Sequence, residues 1–325
     1  MILQFGKIPP PIGGISIHIQ RLIRIVDSSS MKTELLDYSK ERNLVSIFNK
    51  VSRSEIVHIH LSRKIIRLVF IIIFKILKKK VIVTFHGKYN FTNRYDYLSL
   101  KMASSSILLN EWSYNNAKKI ICDKIFLIGA FIPPFKIEKS SLLIETKEII
   151  LNLNQKFDNV FCTNAWDVAL DEDGREIYNG SLLLDLFKKL RNVALVFSDP
   201  KGNYLKYLKN KYKQIPENIH FINYEHDFTE VISLTKAVIR PTITDGDSLS
   251  VKEALFLQRD VISSDIVDRP KGCILYGTVD ELENAIINFN SHQFSYKEFV
   301  YKNSAADILA LYSRMLDQKN NMNKT

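Results

Sequence analysis

Cysteine is scarce: the 325 residues hold three, Cys122, Cys162 and Cys273. They lie far apart, and no Cys/His ligand spacing accompanies them. A disulfide framework and a structural zinc site are not expected, and a reducing cytoplasm is the expected setting. Long apolar runs are missing too. No stretch of about eighteen uncharged apolar residues occurs, so no spanning helix is expected. The opening MILQFGKIPPP lacks the basic-then-apolar order of a signal peptide. Acidic residues are few in the first 150 positions, 11 against 24 Lys and Arg, whereas residues 151–325 carry 24 against 21. The net charge of +10 therefore resides in the first half. Such a half suits an anionic partner, either nucleic acid or an anionic membrane surface, with a merely solvated basic face as the plain alternative. No nucleic-acid-binding motif accompanies the charge, so a nucleic-acid partner is not expected.

What is present is ordinary globular material, 46% hydrophobic and 25% charged, at a length that favours two domains. Short apolar runs at 1–5, 54–60, 81–85, 106–109, 119–122 and 125–128 read as strands. Helical periodicity occupies Ile15–Val26 and Arg63–Lys80. The pattern then restarts. Strands are expected at 159–162, 193–197, 219–222, 237–239 and 260–263. Helices are expected at 143–155, 181–190, 204–212, 249–257, 281–289 and 305–316, with a polar tail from Gln318. Alternating short strands and helices argue for α/β units with parallel sheets covered on both faces. Domains are expected at 1–136 and 137–304, with the segment 305–325 crossing back to the first.

Four segments could carry chemistry. Pro9–Gly14 follows the first strand and opens a helix, where Gly13 and Gly14 let backbone N–H groups approach an anion. It is not G-x-G-x-x-G, and no acidic residue closes a second strand, which disfavours a nicotinamide cofactor. His58 and His60 share a strand face, and His86 ends the next strand beside Gly87. No carboxylate or cysteine spacing makes these histidines a metal site. Arg63–Lys80 is either a buried helix with solvated ends or an interfacial helix beside anionic lipid. Finally, Thr244-Asp-Gly-Asp-Ser-Leu-Ser-Val-Lys-Glu253 runs from a strand into a helix. Its first-turn N–H groups suit a diphosphate lying against Gly246, Ser248, Leu249 and Ser250. Asp245 and Asp247 would repel a phosphate and instead face neutral hydroxyls of the bound nucleotide sugar or cap the backbone, and Glu253 would accept hydrogen bonds from a polyol. A capped helix with an incidental acid is the bland alternative.

Taken together and in order, these motifs resemble the family-4 glycosyltransferases of the GT-B fold, including those of bacterial O-antigen and capsule synthesis. Pro10-Pro11-Ile-Gly13-Gly14-Ile-Ser-Ile-His18-Ile-Gln-Arg-Leu22 is similar to the family's P-P-x-G-G-x-x-x-H-x-x-x-L loop. Thr84-Phe-His86-Gly87 is similar to its T-x-H-G strand end. Asp245 and Glu253 stand where the family has E-x7-E, and Glu253-Ala through Val261-Ile-Ser-Ser-Asp265 continues that motif. The resemblance implies two Rossmann-like domains facing each other across a cleft. It also implies a retaining transfer without a metal cofactor, from a UDP- or GDP-sugar to a lipid-linked acceptor at the inner face of the cell membrane. Carried over, Glu253 would hold the ribose and Asp245 the hexose hydroxyls. Gly13, Gly14 and the 246–250 turn would hold the diphosphate, and His86 would meet the donor sugar.

The sequence departs from the family in two respects. The first acid is Asp rather than Glu. The phosphate-clamping Arg and Lys expected after the first strand of the second domain are absent from Cys162–Trp166 and Tyr178–Gly180, which leaves Arg175 and Lys201 as candidates to replace them. Asp245-Gly-Asp247 also matches the D-x-D of metal-dependent glycosyltransferases. A noncatalytic nucleotide- or sugar-binding protein is the other alternative.

Overall fold

The structure, a computed structural model, describes residues 1–136, 139–289 and 294–322, with side chains as far as residue 317. The expected domain boundary at residue 137 and the tail residues 323–325 lie outside the described residues. The chain forms two units, one of Met1–Pro133 with the segment from Lys302 onward, the other of Pro134–Tyr301.

The first unit runs β1 (Ile2–Gly6), α1 (Gly14–Ser28), β2 (Thr33–Asp37), α2 (Leu44–Arg53), β3 (Ile56–Ile59), α3 (Lys64–Ile76), β4 (Lys80–Phe85), α4 (Arg94–Met102), β5 (Ser105–Leu108), α5 (Glu111–Lys118) and β6 (Ile125–Leu127). Its strands form one parallel sheet in the order β2-β1-β3-β4-β5-β6. Every residue of β1 and β3 is buried, as expected of parallel strands covered on both faces. At Gly6 a Cβ would stand 2.5 Å from Ile19 Cδ1, so a larger residue would require the Ile19 side chain to shift.

The second unit runs α6 (Ile144–Lys156), β7 (Asn159–Asn164), α7 (Gly180–Lys189), β8 (Val193–Ser198), α8 (Asn203–Lys211), β9 (Ile219–Ile222), α9 (Phe228–Leu234), β10 (Ala237–Arg240), α10 (Leu249–Phe256), β11 (Asp260–Ser264), β12 (Cys273–Tyr276) and α11 (Val279–Ile287). Its parallel sheet is ordered β12-β11-β10-β7-β8-β9. Two apolar clusters cover the faces of this sheet, one around Phe161, Phe187 and Phe197, the other around Ile150, Val196 and Val251. The last helix, α12 (Ser304–Met322), belongs to the first unit. There Ser304 N–H donates to Phe131 O at 3.0 Å, and Tyr312 is fully buried.

Several local expectations are corrected. Lys119–Cys122 is not a strand but the turn that ends α5. The Arg63–Lys80 helix stops at Ile76, because Lys78 takes a left-handed turn (φ 56°) and Lys80 already begins β4. The structure adds β2, α2, α4, α5, α9 and β12 to the expected elements; α2 is strongly amphipathic and legible in principle, whereas the others are short or largely polar. In both sheets the strand order reverses beside the first strand, between β1 and β3 and between β7 and β10. Ligands of open α/β sheets settle outside the carboxyl ends of the strands at such switch points. The loops singled out in sequence emerge there.

Candidate functional site

In the second unit, β10 ends at Arg240 and the loop to α10 is organised by Asp245. Arg240 Nη2 donates to Asp245 Oδ1 at 2.8 Å and its Nε to Oδ2 at 3.3 Å. Arg269 Nη1 reaches Oδ2 at 2.8 Å, and Thr242 Oγ1 donates to the same oxygen at 2.6 Å. A carboxylate offers about four acceptor positions, and four donors already reach this one, three on Oδ2 and one on Oδ1. The two arginines outweigh burial and hold the Asp245 carboxyl down at about 2. They are fully employed as well. Arg240 Nη1 bonds both oxygens of Asn164 at 3.1 Å, bridging β10 and β7 at the switch point. Arg269 Nη2 donates to Thr242 Oγ1 at 2.8 Å. Asp245 thus shapes the loop from inside it.

The turn Gly246-Asp247-Ser248 delivers the chain into α10. Asp247 forms an ion pair with Lys252. Ser248 is the N-cap residue, and its side chain makes no capping hydrogen bond. The first intrahelical bond runs from Lys252 N to Ser248 O at 3.3 Å, so the N–H groups of Leu249, Ser250 and Val251 precede it. Such N–H groups, with the positive end of the helix dipole, suit a phosphate. Glu253 lies one turn further in and is buried. The fixed charges of Arg240, Lys252 and Arg269 balance those of Asp245, Asp247 and Glu253. Attraction for a diphosphate therefore has to come from backbone dipoles rather than from net side-chain charge.

The two cations offered as phosphate clamps are engaged elsewhere. Lys201 Nζ lies 2.7 Å from Asp167 Oδ2 and 3.4 Å from the Trp166 ring centre. Arg175 is exposed and pairs with Asp171 at 2.7 Å and Asp173 at 2.9 Å. As the D-x-D pair of a metal site, Asp245 and Asp247 are poorly disposed, because each is already neutralised by a basic side chain. No group of three or more His, Cys, Asp or Glu suited to a metal occurs among the described residues.

In the first unit, Gly13 is the N-cap of α1, and its N–H is taken by Ser16 Oγ at 3.0 Å. Gly14 opens the helix. His18, part of the quoted motif, turns inward and donates from Nδ1 to Ala130 O at 2.8 Å. His86 follows β4 and lies beside His60, with Nε2 and Nδ1 3.0 Å apart. His58, His60 and His86 all have pKa values well below the ordinary histidine value, chiefly through burial and then through their neighbours. They are neutral at pH 7. Sequence reasoning singled out Thr84 and His86 through one motif but not Gln4 and Tyr312 behind them, nor Arg269 on the Asp245 side. No sequence signal marks these three residues, since each reaches its partners only through the fold.

The same unit exposes an apolar surface. On α3, Arg67, Leu68, Ile71 and Phe74 are buried, but Ile65, Val69, Ile73 and Ile76 face outward, Ile76 being 73% exposed. On α2, Leu44, Val45 and Phe48 are exposed at 78%, 69% and 67%. The two helices adjoin, for Lys79, just beyond α3, donates to Ser52 O and Ser54 O at the end of α2 at 2.9 and 2.7 Å. No helix among the described residues is long and apolar enough to cross a membrane.

No protein-family profile and no curated protein sequence matches this chain. Solved structures do. HepE of Anabaena, solved in complex with UDP-glucose, matches with a TM-score of 0.65 at 11% identity, covering 99% of this chain and 100% of that one. The lipopolysaccharide outer core galactosyltransferase WaaB matches with a TM-score of 0.57 at 14% identity, over 96% and 99% of the two chains. A Listeria monocytogenes protein assigned as a UDP-N-acetylglucosamine 2-epimerase matches at 0.64 and 14% identity, over 98% and 96%. Likeness at such identity speaks for architecture and leaves chemistry open. With its two Rossmann-like units, each built on a six-stranded parallel sheet, this chain has the GT-B fold.

Proposed function

We propose that this protein is a retaining glycosyltransferase. It moves a sugar from a UDP- or GDP-sugar to a lipid-linked glycan acceptor during assembly of a bacterial surface polysaccharide. The observation that carries the reading is the β10–α10 loop. A helix start with an uncapped N-terminal turn stands at a switch point, and a buried glutamate sits one turn inside it. That combination suits a nucleotide sugar, with N–H groups for the diphosphate and Glu253 for ribose hydroxyls. Fixed N–H groups that stabilise the departing diphosphate would supply the main catalytic effect, without a metal ion. His86 is the group of the first unit assigned to the transferred sugar.

The acceptor side of the reading rests on the α2–α3 surface. Its exposed isoleucines, leucine and phenylalanine sit on helices that carry or adjoin Arg53, Lys64, Lys75 and Lys78, an arrangement suited to the interface of an anionic bilayer. A protein held there meets a lipid-linked acceptor without spanning the membrane, at the inner face of the cell membrane.

The test is thermal stability with UDP, GDP, CMP and ADP, each with EDTA or Mn²⁺. One nucleotide at about a hundred times its Kd stabilises by about 2.7 kcal/mol. The expected result is a raised midpoint with UDP or GDP that EDTA leaves unchanged and Glu253→Gln abolishes while the protein stays folded. A shift that requires Mn²⁺ would restore the D-x-D reading. No shift with any nucleotide at millimolar concentration would overturn the donor assignment.

A further inference from the structure

Both tryptophans of the chain stand exposed beyond the carboxyl end of a parallel strand, and each has a lysine over its ring. Trp166, 41% exposed, follows β7 and carries Lys201, which Asp167 holds at 2.7 Å. Trp112, 40% exposed, lies in the first turn of α5, beyond β5, and Lys88 Nζ stands 5.1 Å from its ring centre. The two places differ in charge. Lys201 is neutralised by a carboxylate, whereas Lys88 is exposed and has no carboxylate partner among the described residues.

The Trp112 pair is fixed through its backbone. Asn110 Nδ2 donates to Gly87 O at 3.0 Å, and Tyr89 N–H donates to Ser113 Oγ at 2.9 Å. These two bonds stitch the start of α5 to the β4–α4 loop on either side of Lys88 and Trp112. The Trp112 Nε1–H makes no hydrogen bond among the described residues and is left to a ligand.

We infer that Trp112 and Lys88 form a subsite for a sugar ring that bears a phosphate, with the ring lying on the indole and the phosphate meeting the Lys88 ammonium. The indole face is the negative side of the ring quadrupole, so it draws the polarised C–H groups of a pyranose as it draws the lysine. Covering an exposed indole also removes apolar area from water. Inorganic phosphate makes no use of the ring, and a neutral sugar makes no use of the charge, so the pair favours a ligand that has both. The occupant rests on the glycosyltransferase reading: it is the sugar that an acceptor carries next to the phosphate of its lipid.

The experiment is fluorescence titration of full-length Trp166→Phe, whose emission comes from Trp112 alone. The probes are glucose 1-phosphate, galactose 1-phosphate, N-acetylglucosamine 1-phosphate, the three free sugars, inorganic phosphate and UDP. At least one sugar phosphate is expected to change the emission saturably. Lys88→Gln in the same background should raise its Kd about tenfold, the worth of one hydrogen bond to a charged group, and leave the weaker binding of the free sugar unchanged. Saturation-transfer NMR should show contact to the sugar ring protons in the wild type and lose it in Trp112→Ala. Silence of Trp112 toward every sugar phosphate would overturn the proposal. So would an equal response to inorganic phosphate, a stronger response to UDP, or a Kd that Lys88→Gln does not change. A response of Trp166 in Trp112→Phe, with Trp112 silent, would put the sugar phosphate in the second unit and overturn it too. Failure of the glycosyltransferase reading would show separately, as absent stabilisation by every nucleotide in a protein whose Trp112 still answers to a sugar phosphate.

Discussion

Replacing Asp245 with Asn removes one negative charge from between two arginines whose side chains are 8% and 1% exposed. In the folded protein the Asp245 carboxyl is lowered from 3.8 to about 2. At 1.36 kcal/mol per unit, the charged form therefore gains about 2 kcal/mol from its surroundings. The variant also strands buried guanidinium charge, and breaking a buried pair from one side costs about 3–5 kcal/mol. Asn retains part of the hydrogen bonding, so a loss of about 3 kcal/mol is expected at pH 7. For a unit of this size that is a fall of about 6–12 °C in the melting midpoint. The carboxyl is depressed on folding, so its contribution is present above pH 3.8 and is lost as pH falls through about 2. The gap between wild type and Asp245→Asn should therefore be full at pH 7 and narrow between pH 4 and pH 2. The chain has two tryptophans, Trp112 in the first unit and Trp166 in the second. In a Trp112→Phe background, Trp166 fluorescence reports on the second unit alone. A variant that melts within about 1 °C of wild type at pH 7, yet loses nucleotide-sugar turnover, would refute the reasoning and make Asp245 a ligand contact instead of a structural centre.

Two further outcomes are expected. Gly180→Ala would place a Cβ 2.2 Å from Cε1 of Tyr204, a fully buried ring whose hydroxyl is fixed by Gly180 N–H and Glu176. Overpacking of this kind should cost about 3 kcal/mol, read as a lowered urea midpoint; an unchanged midpoint would mean that Tyr204 moves freely. Vesicles containing phosphatidylglycerol should sediment the protein at low salt, whereas phosphatidylcholine vesicles should not. Ile73→Ser/Ile76→Ser should weaken that binding several-fold with the melting midpoint held, and equal binding by this variant would remove α3 from the membrane face.

Each piece of the site was visible in sequence to the degree that its signal is local. Glycine-bearing turns between an apolar strand and a periodic helix are local patterns, so the 9–14 and 244–253 loops could be read directly, and His86 could be placed at a strand end. The α3 segment resolved less cleanly. Its composition showed apolar residues on every side, and only packing separates buried Ile71 and Phe74 from exposed Ile73 and Ile76. Helices such as α4 and α5 stayed hidden because their sequences are largely polar, and their packing against the sheet, more than their own periodicity, defines them.

The alternation of parallel-type strands with helices, restarted once in mid-chain, determined the α/β class and the two-unit plan. The uneven distribution of lysine and arginine determined which half is basic. Those properties follow from residue order and need no contact to be known. The surroundings of Asp245, Lys201 and His86 were decided only by tertiary structure. An acidic side chain near a helix start can bind a sugar, a cation or an arginine. Here β10 and the segment carrying Arg269 bring two guanidinium groups to it before any ligand arrives. In the same way a histidine at a strand end carries no sign of its neighbours until β1, β3 and α12 set Gln4, His60, His58 and Tyr312 in line behind it. Hydrogen bonds and ion pairs act over about 3 Å, and residues 24 or 308 positions apart in the chain come within that distance only when the fold is complete.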